Sequence, residues 1–265
     1  MIQIIKTGGT VAGDVKLMEL LIREIADSGV PAVLVHGGGK AVTEISRRLG
    51  ITSVFREGVR LTAPEEMAVV DMVLAGLTNT ELVRAAYRAG VPAVGLTGAD
   101  SGLFTGALMF PGEGGRTARV SSINLAPIAA LHARGFLPIV ATVGVGEDGE
   151  AVNINADEAA QALAQAVARE QQVELSFIAD TPGVLDDQGQ VIGSIPVREV
   201  EALIRSGVVR DGMAAKIRSC ASAVTAGVGR IVIGTYRETG DVGRLREGTA
   251  GTVVFPGGDN DQGTH

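Results

Sequence analysis

Short, mainly apolar runs alternate along the chain with stretches in which apolar residues recur every three or four positions. Ile2–Ile5 is the first run and predicts a buried strand. Val15–Ala26 follows as a helix, with Leu17, Leu20, Leu21 and Ile25 on one face and Asp14 placed to cap it. Ala32–Val35 is a second buried strand, and Ala41–Leu49 a second helix carrying Val42, Ile45 and Leu49 on one side. Thr52–Thr62 reads as a small hairpin turning at Glu57-Gly58. Pro64 opens a long helix through Tyr87, since proline is well tolerated in a first helical turn.

Ala93–Leu96, Leu137–Val143 and Leu175–Ile178 are further buried strands, separated by helices at Asn124–Ala133 and Asp157–Arg169. The last third adds a helix after Pro196, another over Met213–Ala226, and strands at Arg230–Ile233 and Thr252–Phe255. Leu103–Val120, rich in glycine, breaks the alternation and reads as an antiparallel excursion or flexible flap. The polar Pro256–His265 tail is expected to fray. No tandem repeat is present. Strand–helix alternation of this kind predicts an α/β fold, a three-layer αβα sandwich on a mainly parallel central sheet.

Composition narrows the function classes. At 265 residues the chain can be one large domain or two lobes sharing a sheet. The formal net charge of −7 argues against general nucleic-acid binding, which calls for a strong basic patch, and leaves room for a small anionic ligand met by locally placed donors. The single cysteine, Cys220, cannot form an intrachain disulfide and fits a reducing compartment; its small, apolar neighbours suggest a packed thiol. The start lacks the pattern of a signal peptide, and no apolar run approaches the ~20 residues needed to cross a bilayer. The expectation is a cytoplasmic protein without a membrane partner.

Two glycine clusters carry the candidate chemistry, KTGG at Lys6–Gly9 and HGGG at His36–Gly39. Each brings backbone N–H groups to the carboxyl end of a strand, where open α/β sheets bind ligands and where bare main chain can approach an anion. Either alone is also what an ordinary strand-to-helix turn looks like. Gly144–Gly149 fits G-x-G-x-x-G but runs into a turn and an extended segment, Ala151–Ile154, whereas the dinucleotide fingerprint needs a helix there. HGGGKA lacks the upstream glycine and following Ser/Thr of a Walker loop. Lys6, Arg60, Asn153, Asn155, Asp157 and Lys216 remain as polar groups in apolar or small-residue surroundings. A helix cap is the plain alternative for Asp157 and a solvated helix position for Lys216.

Taken in order, KTGG, HGGGKAV (His36–Val42), GVRLT (Gly58–Thr62), LAGLTNTELV (Leu74–Val83), VGVGEDGEAVNINADEAA (Val143–Ala160), DTPGVLDD (Asp180–Asp187) and DGMAAK (Asp211–Lys216) resemble the amino acid kinase family. They span nearly the whole chain. Within the family they are most similar to the branch that moves the γ-phosphoryl of ATP to the side-chain carboxylate of N-acetyl-L-glutamate in arginine biosynthesis.

That resemblance implies an acceptor-binding and dimerising N-terminal lobe, residues 1–165, and an ATP-binding lobe, residues 166–265, joined near Ala164–Arg169 and sharing one sheet. Lys6 and Lys216 would stabilise the transferring phosphoryl group, Asp157 would orient them, and Gly8, Gly9 and Gly38 would donate N–H groups. Arg60 would grip the acceptor's α-carboxylate, with Gly38, Gly39 and Asn153 completing the acceptor site. Asp180, Thr181, Pro182, Gly183, Val184 and Leu185, with Val208, Val209 and Arg210, would join Lys6, Gly8, Gly9 and Lys216 in contacting ATP. Mg2+ would come mainly with the nucleotide, with no dedicated metal site on the protein. A carboxylate acceptor is already ionised at neutral pH, so no general base is required.

The chain begins almost directly with its first strand, without the extra N-terminal helix of arginine-inhibited hexameric relatives, so the resemblance implies an arginine-insensitive homodimer. TGADSG at Thr97–Gly102 departs from the family's usual SGKDG. The branch that phosphorylates carrier-linked aminoadipate is a rival; it should present a basic surface to its acidic carrier. A non-catalytic binding module of the same fold is a second alternative, against which both lysines and Asp157 stand. Glutamate 5-kinase and aspartokinase are more distant.

Overall fold

The structure is a computed structural model and describes residues 1–9, 11–56 and 58–257. Glu57 of the expected hairpin turn and residues 258–265 of the expected frayed tail lie outside the described residues.

The first half of the chain runs β1 (Ile2–Thr7), α1 (Val15–Asp27), β2 (Ala32–His36), α2 (Gly39–Arg48), the two-residue strands β3 (Phe55–Arg56) and β4 (Val59–Arg60), and α3 (Pro64–Val70). A π-helical stretch, Asp71–Thr78, continues α3 into α4 (Asn79–Arg88). Then come β5 (Ala93–Thr97), β6 (Phe104–Leu108), β7 (Thr117–Ile123), α5 (Ala126–His132), β8 (Leu137–Ala141), β9 (Val143–Gly146) and β10 (Ala151–Ile154). The remainder is α6 (Ala156–Ala168), β11 (Val173–Ile178), β12 (Ser194–Pro196), α7 (Val197–Arg205), α8 (Asp211–Thr225), β13 (Arg230–Gly234), α9 (Asp241–Glu247) and β14 (Thr252–Phe255).

One eight-stranded sheet, ordered β12-β14-β13-β11-β1-β2-β8-β5, spans the molecule. It is parallel from β13 to β5; only β14, with its parallel partner β12, runs the other way. β1 lies at its centre with Lys6 in register with Phe177 of β11 and Val35 of β2. Alternation along β1 sends Ile2, Ile4 and Lys6 to one face and Ile5 to the other. The first face meets α6 and α8 through Ala160, Leu163, Ile217 and Cys220, the second meets α1, α4 and α9 through Leu21, Ile22, Leu82 and Leu245. This is the expected αβα sandwich.

The fold departs from the sequence reading in local ways. The apolar run Leu137–Val143 is divided between two sheets: β8 ends at Ala141, and the chain turns at Thr142 into β9. The Leu103–Val120 excursion is antiparallel, as one of the two readings had it, and β6 and β7 close with β9 and β10 into a small barrel. Glu158 pins that barrel to α6 by accepting from Val120 N at 3.0 Å. The short β12 and α9 carry too few periodic residues to have been read. The expected join between lobes falls in the last turn of α6, so a helix and the sheet both cross it.

Candidate active site

Two lysines from distant parts of the chain meet on one carboxylate. Lys6 Nζ lies 2.7 Å from Asp157 Oδ1, and Lys216 Nζ donates to Asp157 Oδ2 at 3.0 Å. The fold explains each position: Lys6 is the last inward-facing residue of β1, Asp157 lies in the first turn of α6, and Lys216 is halfway along α8. Lys216 Nζ also stands 4.4 Å from the centre of the Phe177 ring, whose negative face favours a cation. Burial pushes the Asp157 carboxyl upward, but the charges of Lys6 and Lys216 outweigh it and hold the group below its ordinary value.

Asp157 does not cap its helix. Asn155 does, its Oδ1 accepting from Asp157 N at 2.9 Å and Glu158 N at 3.2 Å. The plain alternative for Asp157 therefore belongs to the residue two places earlier, and the Asp157 carboxylate is left for the lysines.

The glycine clusters frame this triad. A Cβ on Gly8 would sit 2.7 Å from Lys6 Nζ, so its absence leaves the ammonium its place; Gly8 N itself donates to Ile178 O at 3.2 Å. Gly9 has φ +64, and a side chain there would run into the Asp180 carboxylate, which seats DTPG against KTGG. Gly38 starts α2 without any side-chain cap, and a Cβ on it would come within 2.5 Å of Leu74 Cδ2. A Cβ on Gly39 would meet nothing within 4 Å. Space is open in front of the first turn of α2, and the helix dipole favours an anion there.

On the acceptor side, Arg60 is nearly buried and heavily engaged. Nη1 donates to Ser53 Oγ at 2.5 Å and pairs with Glu66 Oε1; Nη2 donates to Thr43 Oγ1 at 2.7 Å and to Gly39 O at 3.2 Å. The guanidinium lies over the Phe55 ring at 4.7 Å. A bidentate grip on a carboxylate must therefore displace at least one of these present partners, a constraint the sequence did not reveal. Arg60 and Asn153 are joined through Thr62: Asn153 Nδ2 donates to Thr62 Oγ1 at 2.9 Å, and Thr117 Oγ1 bridges Thr62 Oγ1 and Arg60 O. Thr62 holds φ +53, unusual for a β-branched residue and typical of strain stored at a site.

The segments expected to meet ATP divide by burial. Asp180, Thr181, Pro182, Leu185 and Arg210 are exposed and Val208 half-buried, whereas Gly183, Val184 and Val209 are buried. Val184 N donates to Thr252 Oγ1 at 2.8 Å, and the Val184 and Val209 side chains belong to the core, so these two hold the loops in place. Cys220 is a packed thiol, its pKa pushed up to about 12 by burial. Sequence reasoning missed Glu66, Thr43, Ser53 and the role of Thr62. Glu66 had a legible signal, a carboxylate on the same helical stripe as Val69, Val70 and Val73.

The chain is similar to known proteins over most of its length. The model of the amino acid kinase family matches residues 1–235. The acetylglutamate kinase of Geobacillus thermodenitrificans (strain NG80-2) is 34% identical over 231 residues, covering 87% of this chain and 88% of the relative. That of Wolinella succinogenes is 40% identical over 202 residues, covering 76% and 70%. Among solved structures, smu.665 from Streptococcus mutans UA159 superposes with a TM-score of 0.80 at 28% identity, covering 97% of this chain and 99% of that one. The carbamate kinase of Giardia shares the fold alone, with a TM-score of 0.70 at 16% identity over 96% of this chain and 98% of that one. With a family model spanning most of its length and relatives this similar across their own, the chain belongs to the amino acid kinase family.

Proposed function

We propose that this chain is an acetylglutamate kinase, transferring the γ-phosphoryl of ATP to the side-chain carboxylate of N-acetyl-L-glutamate and so serving arginine biosynthesis. The observation that carries the reading is the Lys6–Asp157–Lys216 triad, two cations held on one carboxylate at the mouth of two glycine turns. A carboxylate oxygen of the acceptor attacks the γ-phosphorus as the bond to the ADP oxygen breaks, giving an acyl phosphate and ADP. Both reactants are anions, and the work is to hold them together and stabilise charge on the phosphoryl oxygens. Lys6 and Lys216 do this from opposite sides, Asp157 sets their separation, and Gly9 and Gly38 add N–H donors. Arg60, Gly39 and Asn153 take the acceptor. Asp180, Thr181, Pro182 and Leu185, with Val208 and Arg210, line the nucleotide side.

ATP arrives with Mg2+, which supplies charge neutralisation of the phosphates when bound. The residues fit a metal held mainly by nucleotide oxygens, because both Asp157 oxygens already face an ammonium group.

Residues 1–165 act as the acceptor lobe and residues 166–265 as the nucleotide lobe of a cytoplasmic homodimer. The dimer reading is supported by β5, an edge strand of half-buried residues, and by Met72, Leu77 and Tyr87, large apolar or aromatic side chains exposed on the π-helical stretch and α4. A monomeric mass in solution would overturn it.

The function is tested by trapping the acyl phosphate with hydroxylamine, using N-acetylglutamate, free glutamate, aspartate and carrier-linked aminoadipate as acceptors. N-acetylglutamate should be preferred. Preference for another acceptor would overturn the assignment, and the net charge of −7 already disfavours an acidic carrier.

A further inference from the structure

The LAGLTNTELV segment has no part in the scheme above, yet its asparagine reaches the second glycine cluster. Asn79 opens α4 immediately after the π-helical stretch and is buried. Its Nδ2 lies 2.9 Å from Ile139 O, 3.0 Å from His36 Nε2 and 3.3 Å from Leu96 O. Carbonyl oxygens only accept, so the nitrogen end of the amide is fixed here, and its two hydrogens go to the nearer partners, Ile139 O and His36 Nε2. His36 Nε2 is thereby an acceptor. The hydrogen of the neutral ring must sit on Nδ1, which donates to Gly37 O at 2.9 Å. The ring is wholly buried, and that burial lowers its pKa to about 4, so it is neutral at working pH.

Gly37 O belongs to the same peptide unit as the Gly38 N–H. In a planar trans peptide these two groups point in opposite directions. Tying the carbonyl to the buried ring turns the Gly38 N–H away from it. Among the described residues no acceptor takes that N–H, and no side chain caps α2. Leu74, from the same π-helical stretch, packs where a Gly38 side chain would be and holds the unit from the side.

We propose that His36, oriented by Asn79, is a positioning residue for phosphoryl transfer: it locks the Gly37–Gly38 peptide so that the Gly38 N–H faces the transferring phosphoryl group. The inference rests on the kinase reading above. A donor fixed in advance needs no reorganisation when charge develops, and a hydrogen bond into the carbonyl of the same peptide strengthens its N–H.

The test compares two amide replacements in the full chain with MgATP. His36→Asn can place its NH2 near the position of Nδ1 and keep a donor to Gly37 O. His36→Gln carries its amide to the position of Nε2 and leaves Gly37 O without one. His36→Gln should lose kcat by ~10-fold or more, with substrate KM values changed less than about threefold, whereas His36→Asn should recover most of the loss. Affinity for ADP with aluminium fluoride and acceptor should fall by the same factor as kcat, and affinity for ADP alone should hold. Equal kcat in the two variants would overturn the proposal. Should neither variant fold, 15N spectra of the wild-type imidazole decide: a protonated Nδ1 and bare Nε2 support the proposal, and the opposite tautomer sinks it. A wild-type chain that forms no acyl phosphate from any acceptor would bring down the kinase reading and this one together; an active wild type with equal variants brings down this one alone.

Discussion

Asn155 Oδ1 accepts the backbone N–H of Asp157 at 2.9 Å, and that bond separates two tasks that one aspartate could otherwise have combined. Asn155 ends the need for a cap, and the Asp157 side chain is free to face Lys6 and Lys216. Asn155→Ala should therefore cost about 1 kcal/mol of stability through the lost cap, read by denaturant unfolding, while Asn155→Asp or Asn155→Ser should cost less. Asp157→Asn should behave differently. It keeps the helix and removes the charge that orders both lysines, so kcat should fall by roughly 100-fold with a much smaller change in unfolding midpoint. A variant of Asp157 that retained wild-type kcat would remove the triad from the mechanism.

His36 gives a pH dependence of stability with a defined sign. Burial lowers its pKa from 6.5 to about 4, so between those values the unfolded chain binds a proton that the folded chain refuses. Stability from this group is complete above pH 6.5 and is lost as pH falls toward 4, by on the order of 3 kcal/mol over the window. Unfolding free energies at pH 7.5 and 4.5 should thus differ more for wild type than for His36→Asn. Asp157, held below its ordinary value, contributes stability that is lost only as pH falls further, below that of an ordinary aspartate. Equal pH dependence in wild type and His36→Asn would mean that the ring is not neutral when folded.

Arg60 and Glu66 form an ion pair whose side chains are 9% and 1% exposed. Removing one partner leaves the other charged and nearly dry. Glu66→Ala should destabilise the fold by about 3–5 kcal/mol, whereas Arg60→Met with Glu66→Leu should cost far less than the sum of the two single changes. On the proposed function, Arg60→Lys should raise the KM for the acceptor more than that for ATP, because an ammonium cannot copy the planar fork. A similar rise for both substrates would count against placing Arg60 at the acceptor.

Which parts of this were legible in the sequence follows from the range of the forces concerned. The central strands and long helices are periodic over several residues, so β1, β2 and β11 and helices α1, α6 and α8 could be read to within a few positions. Lys6, Asp157 and Lys216 stood out because a charged group in apolar or small-residue surroundings is costly without a partner. Their meeting depends on the order of strands, which local periodicity does not contain. Glu66 was passed over because the long helix was read from its proline start and its extent, without asking which charged residue shares the stripe of Val69, Val70 and Val73. The hold of His36 on the Gly37–Gly38 peptide was hidden because two residues forty-three positions apart, His36 and Asn79, have to be brought together before either has a role. Val184 and Val209 show a different limit: contiguity within a motif groups them with ligand-contacting neighbours, and only the fold shows that their side chains are spent on the core.

The adjacent glycines of α2 offer a way to separate packing from ligand contact. A methyl on Gly38 would press within 2.5 Å of Leu74 Cδ2, so Gly38→Ala should lose roughly 1–3 kcal/mol of stability. A methyl on Gly39 would meet nothing within 4 Å, and Gly39 lies in the first turn of a helix, where alanine is the better residue. Gly39→Ala should leave the unfolding midpoint unchanged or slightly raised. If the acceptor comes against the bare main chain at this point, the same variant should raise the KM for N-acetylglutamate by ~10-fold or more, a loss of at least about 1.4 kcal/mol of binding, while the KM for ATP moves little. A stable Gly39→Ala enzyme with unchanged acceptor KM would show that the open space in front of α2 is not where the acceptor sits, and would shift the acceptor toward Asn153 and the barrel.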